Sequence, residues 1–430
     1  MPREGPPVSI HTVRLGSYKP LLELASGGMA TVYVAKQVGA AGFERLVVIK
    51  RVHPHLLSNR DFYDMFRDEA RVCSTIRHPN VVPVVDVAEV DGELFLVLEY
   101  VESLALSALL RAAAGRGERL EPAVVVRIFA DALAGLHAAH EAVDMRGNRI
   151  ELIHRDVSPQ NVIVGLDGTS RLIDFGIAKA ASRISVTHSG VVKGKLRYMS
   201  PEQLHQKRLD RRADIFAAGV VLYEALTGQR PFGGEDDGDV VLGILIGEAP
   251  SASSVVPRLP SALDAVVARA LDRDRDRRFQ TAAEFQEALE RAVAPASARA
   301  VARTVERLGG EGFELRRAAL QASLVDDAMS SPREPPAIDG PGPLAMATST
   351  TRGVLAESPV HRRAGWVVVV GALVIVVAAA TLLGARRSAP GRAEASATPS
   401  TPPSSVVVGA DPTPSPGASA IGAPEPLTPT

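Results

Sequence analysis

Three short runs in a fixed order constrain this 430-residue chain more than its overall composition does. Val47-Val48-Ile49-Lys50 comes first, His154-Arg155-Asp156 next with Asn161 five residues after the aspartate, and Asp174-Phe175-Gly176 last. Each brings a different functional group: a lysine closing an apolar run, a carboxylate followed by an amide, and a second carboxylate. Together they hold the parts that phosphoryl transfer needs. A cation grips phosphate oxygens, one carboxylate faces the accepting hydroxyl, and the amide with the other carboxylate offers oxygen to a hard divalent metal. Such tripeptides occur singly by chance in long chains, so the order and spacing carry the information.

The periodicity around these runs divides the chain. From Tyr18 to about Tyr100 short β-rich runs dominate, with Val32 to Lys36, Leu46 to Arg51, Val81 to Val87 and Leu94 to Tyr100 reading as strands. One helix interrupts them, Asp61 to Ile76, with Phe62, Met65, Phe66, Glu69, Val72 and Cys73 near helical spacing. From Leu104 to Ala292 helical patterns prevail. With 48 basic and 49 acidic residues the chain implies no polyanion-binding surface, and hence no nucleic-acid partner. Its one cysteine, Cys73, excludes an internal disulfide and reads as a buried structural thiol. Residues 1–14 lack the apolar core of a secretory signal, so the N-terminal part is expected to stay in the cytoplasm, where ATP is.

On these motifs the chain resembles the bacterial eukaryotic-like (Hanks-type) serine/threonine protein kinases of the single-pass membrane type, over residues 15–292. The resemblance implies an α+β, bilobal protein kinase fold with a β-rich N-lobe and a helical C-lobe. It also implies ATP as phosphate donor, Mg²⁺ (with Mn²⁺ as an alternative) and protein Ser/Thr hydroxyls as acceptors. Leu24-Ala25-Ser26-Gly27-Gly28-Met29-Ala30-Thr31-Val32 falls where such kinases carry G-x-G-x-x-G-x-V over the phosphates. Ala25 and Ala30 replace the outer glycines and Gly27 keeps the middle one. Alanine is small but resists positive φ, which predicts a stiffer loop. Lys50 is implied to pair with Glu69 and to meet the α- and β-phosphates. Leu98 takes the gatekeeper position, and Glu99 and Val101 present backbone groups to adenine.

The resemblance gives Asp156 the substrate hydroxyl, Asn161 and Asp174 the metal, and His154 a packing and hydrogen-bonding role. Two departures stand out. Ser158 lies where such kinases commonly have the lysine that neutralises the γ-phosphate, and Lys195, in Gly194-Lys195-Leu196-Arg197-Tyr198-Met199-Ser200-Pro201-Glu202, lies where they usually have threonine. The two roles read as exchanged, Lys195 supplying the cation and Ser158 the hydroxyl. A solvated Lys195 with a simple loss at Ser158 is the alternative. Among Ser182, Ser185, Thr187 and Ser189, the preferred autophosphorylation sites are Thr187 and Ser189. Glu202 and Arg278 are implied to form a buried ion pair, and Asp214 to brace the catalytic loop. A turn is expected at Gly147-Asn148.

Beyond the kinase-like region the composition shifts. Residues 1–14 read as a disordered leader, 293–363 as a juxtamembrane linker with one further helical stretch over 296–328, and 386–430 as a low-complexity extracytoplasmic tail. Ala364 to Ala385, 22 residues without charge between arginine pairs, is long enough to span a bilayer. That places the chain in the cell membrane with its kinase domain cytoplasmic. Ala380 and Gly384 have small-residue spacing that leaves a homodimer open. Two other readings compete with an active protein kinase. A pseudokinase is opposed by the complete set Lys50, Glu69, Asp156, Asn161 and Asp174, and a small-molecule phosphotransferase by Ser200-Pro201-Glu202 and Asp214.

Overall fold

A computed structural model describes residues 15–330, apart from 91, 145, 176–195 and 235 and the side chains of Met65, Glu69, Ala328 and Ser330. The small lobe is a five-stranded antiparallel sheet of β1 (Tyr18–Ser26), β2 (Ala30–Val38), β3 (Glu44–Val52), β4 (Val84–Val90) and β5 (Glu93–Glu99), in the order β1-β2-β3-β5-β4. Alternation along β3 decides its two faces. Val47 and Ile49 join Ala35, Phe95 and Val97 in a cluster on one side, whereas Val52 joins Leu94 and Leu96 in the main core on the other. Lys50 has the parity of Val52 and so belongs to the side facing the main core.

Two helices, α1 (Pro54–Leu57) and α2 (Arg60–Cys73), follow β3. The Asn59 side chain caps α2 by accepting from Phe62 N at 3.1 Å. Phe62, Phe66, Ala70 and Cys73, one helical stripe, are buried in the main core. The helix ends short of the expected Ile76, because Ser74 and Thr75 turn their hydroxyls back to the carbonyls of Arg71 and Val72 at 2.7 Å each. The strand expected from Val81 pairs only from Val84. Val81 makes a lone bridge to Leu172, and Pro83 has no N–H to contribute to a ladder.

The large lobe holds a second small sheet, β6 (Ser103–Ala105), β7 (Val162–Gly165) and β8 (Ser170–Leu172). Its helices are α3 (Leu106–Gly115), α4 (Pro122–His140), α5 (Pro201–Leu204), α6 (Arg212–Thr227), α7 (Asp237–Ile246), α8 (Ala252–Val255), α9 (Ala262–Ala270) and α10 (Ala282–Ala292). Among the described residues α4 alone is long and apolar enough to cross a membrane, but Val125, Val126, Ile128, Leu133 and Leu136 bury it in the protein core. The apolar run 364–385 lies outside the described residues. The turn expected at Gly147-Asn148 is present: Asp144 accepts from the backbone of Arg146 and Asn148, and Gly147 takes φ +85°. A last helix, α11 (Ala298–Ser330), falls within the stretch read from sequence as linker, and it contacts α3, α4, β1, β6 and β7.

One ion pair inside the large lobe is fully desolvated. Arg278 is 0% exposed and holds Glu202 in a bidentate bridge at 2.7 and 2.9 Å. Its other donors go to the carbonyls of Asp272, Arg212 and Arg273, and its guanidinium lies 4.9 Å from the Phe216 ring centre. All five guanidinium N–H groups are therefore used. Removing one member of such a pair strands the other charge, and Arg278→Met is expected to cost about 3–5 kcal/mol. Urea unfolding followed by circular dichroism checks this; a loss below about 1 kcal/mol, the size of a surface pair, would contradict it.

Candidate active site

Strand register sets which small-lobe side chains share a face. Val32 pairs with Lys50 across β2 and β3, and Lys50 with Leu96 across β3 and β5. One row further, Val48 pairs with Leu98, so Val32, Lys50 and Leu98 share a face of the sheet. The turn between β1 and β2 carries Gly27, Gly28 and Met29 and is closed by Gly27 N donating to Ala30 O at 3.1 Å. His53 N donates to Met29 O at 2.9 Å, and the Ser26 and Thr31 hydroxyls lie 3.1 Å apart. Leu24 sits at a register shift between Glu23 and Ala25, beyond which Ala25 pairs with Val32 and Ser26 with Thr31. Ala30 opens β2 and is buried. At the other end of the cleft, Glu99 N is held by Pro83 O at 3.1 Å, and Val101 O accepts from Ser103 Oγ at 3.0 Å.

Lys50 Nζ donates to Asp174 Oδ1 at 2.7 Å, with both side chains half-buried. This contact joins the small lobe to the segment after β8. Glu69 lies on α2 with its side chain outside the described residues, as do Lys195, Thr187 and Ser189.

The loop of His154, Arg155 and Asp156 is held from beneath by Asp214, buried at 1% exposure on α6. Its Oδ1 accepts from Arg155 N at 2.7 Å, and its Oδ2 from His154 N at 2.7 Å and from His140 Nε2 at 2.8 Å. Burial by itself would raise this carboxyl, but the hydrogen bonds it accepts from His140 Nε2 and from the His154 backbone outweigh it and hold it below the usual carboxylate range. His140, at the end of α4, is a partner that sequence reasoning missed. The only available signal is a histidine closing an apolar helix.

His154 is fully buried, and burial lowers its pKa against the pull of Asp214 and Asp156. The ring is thus neutral, with Nε2–H donating to Ile173 O at 3.1 Å and Nδ1 accepting from Asp156 N at 3.3 Å. It also packs 4.5 Å from the Phe175 ring centre. These contacts agree with the packing role read from sequence. Arg155 and Asp174 both take left-handed backbone, at φ 61° and 58°. Gln203 Nε2 of α5 donates to Arg155 O at 3.3 Å, tying the Ser200-capped turn to the loop.

Asn161 Nδ2 donates to Asp156 O at 2.8 Å and to Asp156 Oδ2 at 3.1 Å. Separately, the Ile173 backbone N–H donates to the Asn161 backbone carbonyl at 3.0 Å, one residue before Asp174. Asn161 and Asp174 offer oxygen only, which fits Mg²⁺. Among the described residues no three His, Cys, Asp or Glu side chains cluster as a closed metal cage. Such an open pair suits an ion that takes its remaining ligands from phosphate and water. Ser158 is buried at 3% exposure within the same loop.

Residues 18–291 match the protein kinase domain model. The chain belongs to the protein kinase family. As a protein kinase it is 45% identical over 275 residues to the tyrosine-protein kinase MasK of Myxococcus xanthus, a match covering 64% of this chain and 43% of MasK. It is 32% identical over 271 residues to the serine/threonine-protein kinase PrkC of Bacillus subtilis, covering 63% and 40%. To the serine/threonine-protein kinase PknE of Mycobacterium bovis it is 35% identical over 294 residues, covering 68% and 49%. The match thus spans less than half the length of these curated relatives. The solved kinase domain of PknI from Mycobacterium tuberculosis superposes with TM-score 0.50 at 26% identity, covering 66% of this chain and 98% of that one. The bilobal fold expected from sequence is the fold found.

The buried neutral ring of this kinase's His154 makes a pH prediction. Its folded pKa lies below the ordinary value of 6.5, so below that pH the unfolded chain takes up a proton that the folded ring refuses. Stability is complete above 6.5 and falls as pH drops. Urea midpoints between about pH 7.5 and 5.5 should show a shallower fall for His154→Phe than for the wild type. Parallel slopes would place the pH response elsewhere.

Proposed function

We propose that this chain is a membrane-anchored serine/threonine protein kinase that transfers the γ-phosphate of Mg-ATP to protein hydroxyls and phosphorylates its own activation segment. The observation that carries the reading is the convergence of the Lys50–Asp174 pair with Asp156 and Asn161. In this reading Lys50 meets the α- and β-phosphates, while Leu98, Glu99 and Val101 line the adenine end. Asn161 and Asp174 hold Mg²⁺, which when bound neutralises charge developing on the phosphates. Asp156, kept in place by Asn161 Nδ2, accepts or orients the proton of the substrate hydroxyl. The segment 364–385 is the anchor and leaves the kinase domain on the cytoplasmic side, with the tail outside. Protein Ser/Thr side chains are the acceptors; no nucleic acid is involved.

A second reading concerns the acceptor alone. MasK is named a tyrosine kinase, and Lys195 removes the threonine usual in Ser/Thr kinases. Incubation of the detergent-solubilised full chain with Mg²⁺ and [γ-³²P]ATP, then phosphoamino-acid analysis, separates the two. Label on Ser or Thr, mapping to Thr187 or Ser189 and reduced about 10²–10⁴-fold by Asp156→Asn, is the expected result. Phosphotyrosine alone would transfer the reading to tyrosine. No label on the chain or on a general acceptor protein, with ATP still bound, would make it a binding module.

The exchange of roles between Lys195 and Ser158 makes a separate prediction. Lys195→Thr and Ser158→Lys should each lower kcat, and the double variant should recover activity above the worse single one, because cation and hydroxyl are then both restored in the usual arrangement. A double variant no better than the worse single one would reject the exchange.

A further inference from the structure

Helix α11 touches both lobes and the hinge between them. Ser297 Oγ accepts from Ala300 N at its start, Ala296 N bonds Ala123 O at 2.9 Å, and Val301 and Val305 are buried in the core of the large lobe. The turn at Gly168 meets Ala298 so closely that a Cβ there would lie 1.8 Å from the Ala298 carbonyl oxygen. Further along, Arg307 pairs with Glu118 at 2.8 Å. Arg316 Nη1 donates to Ser103 O at 3.1 Å, and Arg317 grips Glu102 at 2.7 and 3.1 Å. At its far end Leu320 and Leu324 pack with Leu21, Leu22, Val34, Leu46 and Tyr100. There Asp327, 4% exposed, pairs with both Lys19 of β1 and Lys36 of β2. Those two strands carry the phosphate-binding turn between them.

The helix is also weakened where it passes the hinge. Gly309, Gly310 and Gly312 lie after the buried Val301 and Val305 and before the contacts to Glu102, Ser103 and the β1–β2 strands. Gly309 has a steric reason, since a Cβ would come within 2.3 Å of Leu104. Gly310 and Gly312 have none: nothing lies within 4 Å of where their Cβ would be. Two glycines without a packing need, inside a helix that links two lobes, mark a flexure.

We propose that α11 is an interlobe brace with a glycine flexure, and that Asp327 is a positioning residue that latches the β1–β2 hairpin to it and so sets that hairpin over the nucleotide. Asp327 is suited to a latch. Burial opposes its charge, yet hydrogen bonds from Lys19 and Lys36 hold the carboxyl below the usual range, so it stays ionised near neutral pH. The occupant of the small-lobe surface is thus the chain's own helix, continuous in sequence with the segment that leads on to 364–385.

The test uses the full chain in detergent and two opposed variants. Asp327→Asn keeps shape and removes charge; Gly310→Ala with Gly312→Ala stiffens the helix without a clash. In nucleotide-free protein, amide hydrogen exchange in β1, β2 and residues 316–330 should rise about tenfold in Asp327→Asn, as for a lost charge-assisted hydrogen bond, and fall in the double alanine variant, with α4 unchanged in both. The nucleotide effect rests on the kinase reading. There, Asp327→Asn should weaken Mg-ADP binding by calorimetry and raise KM for ATP, with kcat little changed, and Asp327→Glu should restore both. Unchanged exchange in β1–β2, or a rise spread equally over α4, would overturn the brace. Because exchange is read without nucleotide, it decides the brace even if the chain transfers no phosphate.

Discussion

The site depends on one buried carboxylate. Asp214 sits on α6 inside the large lobe and takes three hydrogen bonds, two from the backbone of His154 and Arg155 and one from His140. Such bonds to an ionised oxygen are stronger than neutral ones and are not shared with water at this depth. From there the contacts run outward in sequence. His154, fixed by its backbone, holds Ile173 O and packs on Phe175; the residue between them is Asp174, and Asp174 meets Lys50 of the small lobe. The position of Lys50 relative to Asp156 is therefore decided in the core of the other lobe.

That arrangement stores strain where it is used. Arg155 and Asp174 are left-handed without being glycine, each at a cost on the order of 1–3 kcal/mol. Asp214 offsets the first through the Arg155 N–H. The second is offset by Lys50 on the aspartate side chain and by the packing of Phe175 beside it. The neutral state of His154 belongs to the same economy of charge. Its ring nitrogens meet the Ile173 carbonyl and the Asp156 backbone N–H, so the ring ties these segments together without adding a cation.

Much of this site was legible in the sequence, because the residues involved act through chemistry that few other side chains can supply. Glu202 with Arg278, and Asp214 under the loop of His154 and Arg155, are each found where the motif placed them. Element edges were less legible. The end of α2 turned on back-bonding by Ser74 and Thr75, and the start of β4 on the missing N–H of Pro83, effects of single residues that periodicity averages away. His140 was not legible at all. A histidine ending an apolar helix looks like any other helix end until the fold brings a carboxylate 74 residues away against it.

The long helix α11 shows a different limit. A helical stretch was apparent from sequence, but not that it docks. Gly309, Gly310 and Gly312 each cost about 1 kcal/mol relative to alanine in a helix interior, so the intrinsic preference of this stretch is poor. Its regularity must come from its partners, and those are long-range: Leu104 at Gly309, the hinge carbonyl of Ser103 at Arg316, and Lys19 and Lys36 at Asp327. A buried aspartate in an arginine-rich helix has no local explanation, and its reason lies about 300 residues earlier in the chain. The helix is ordered by the two lobes it joins.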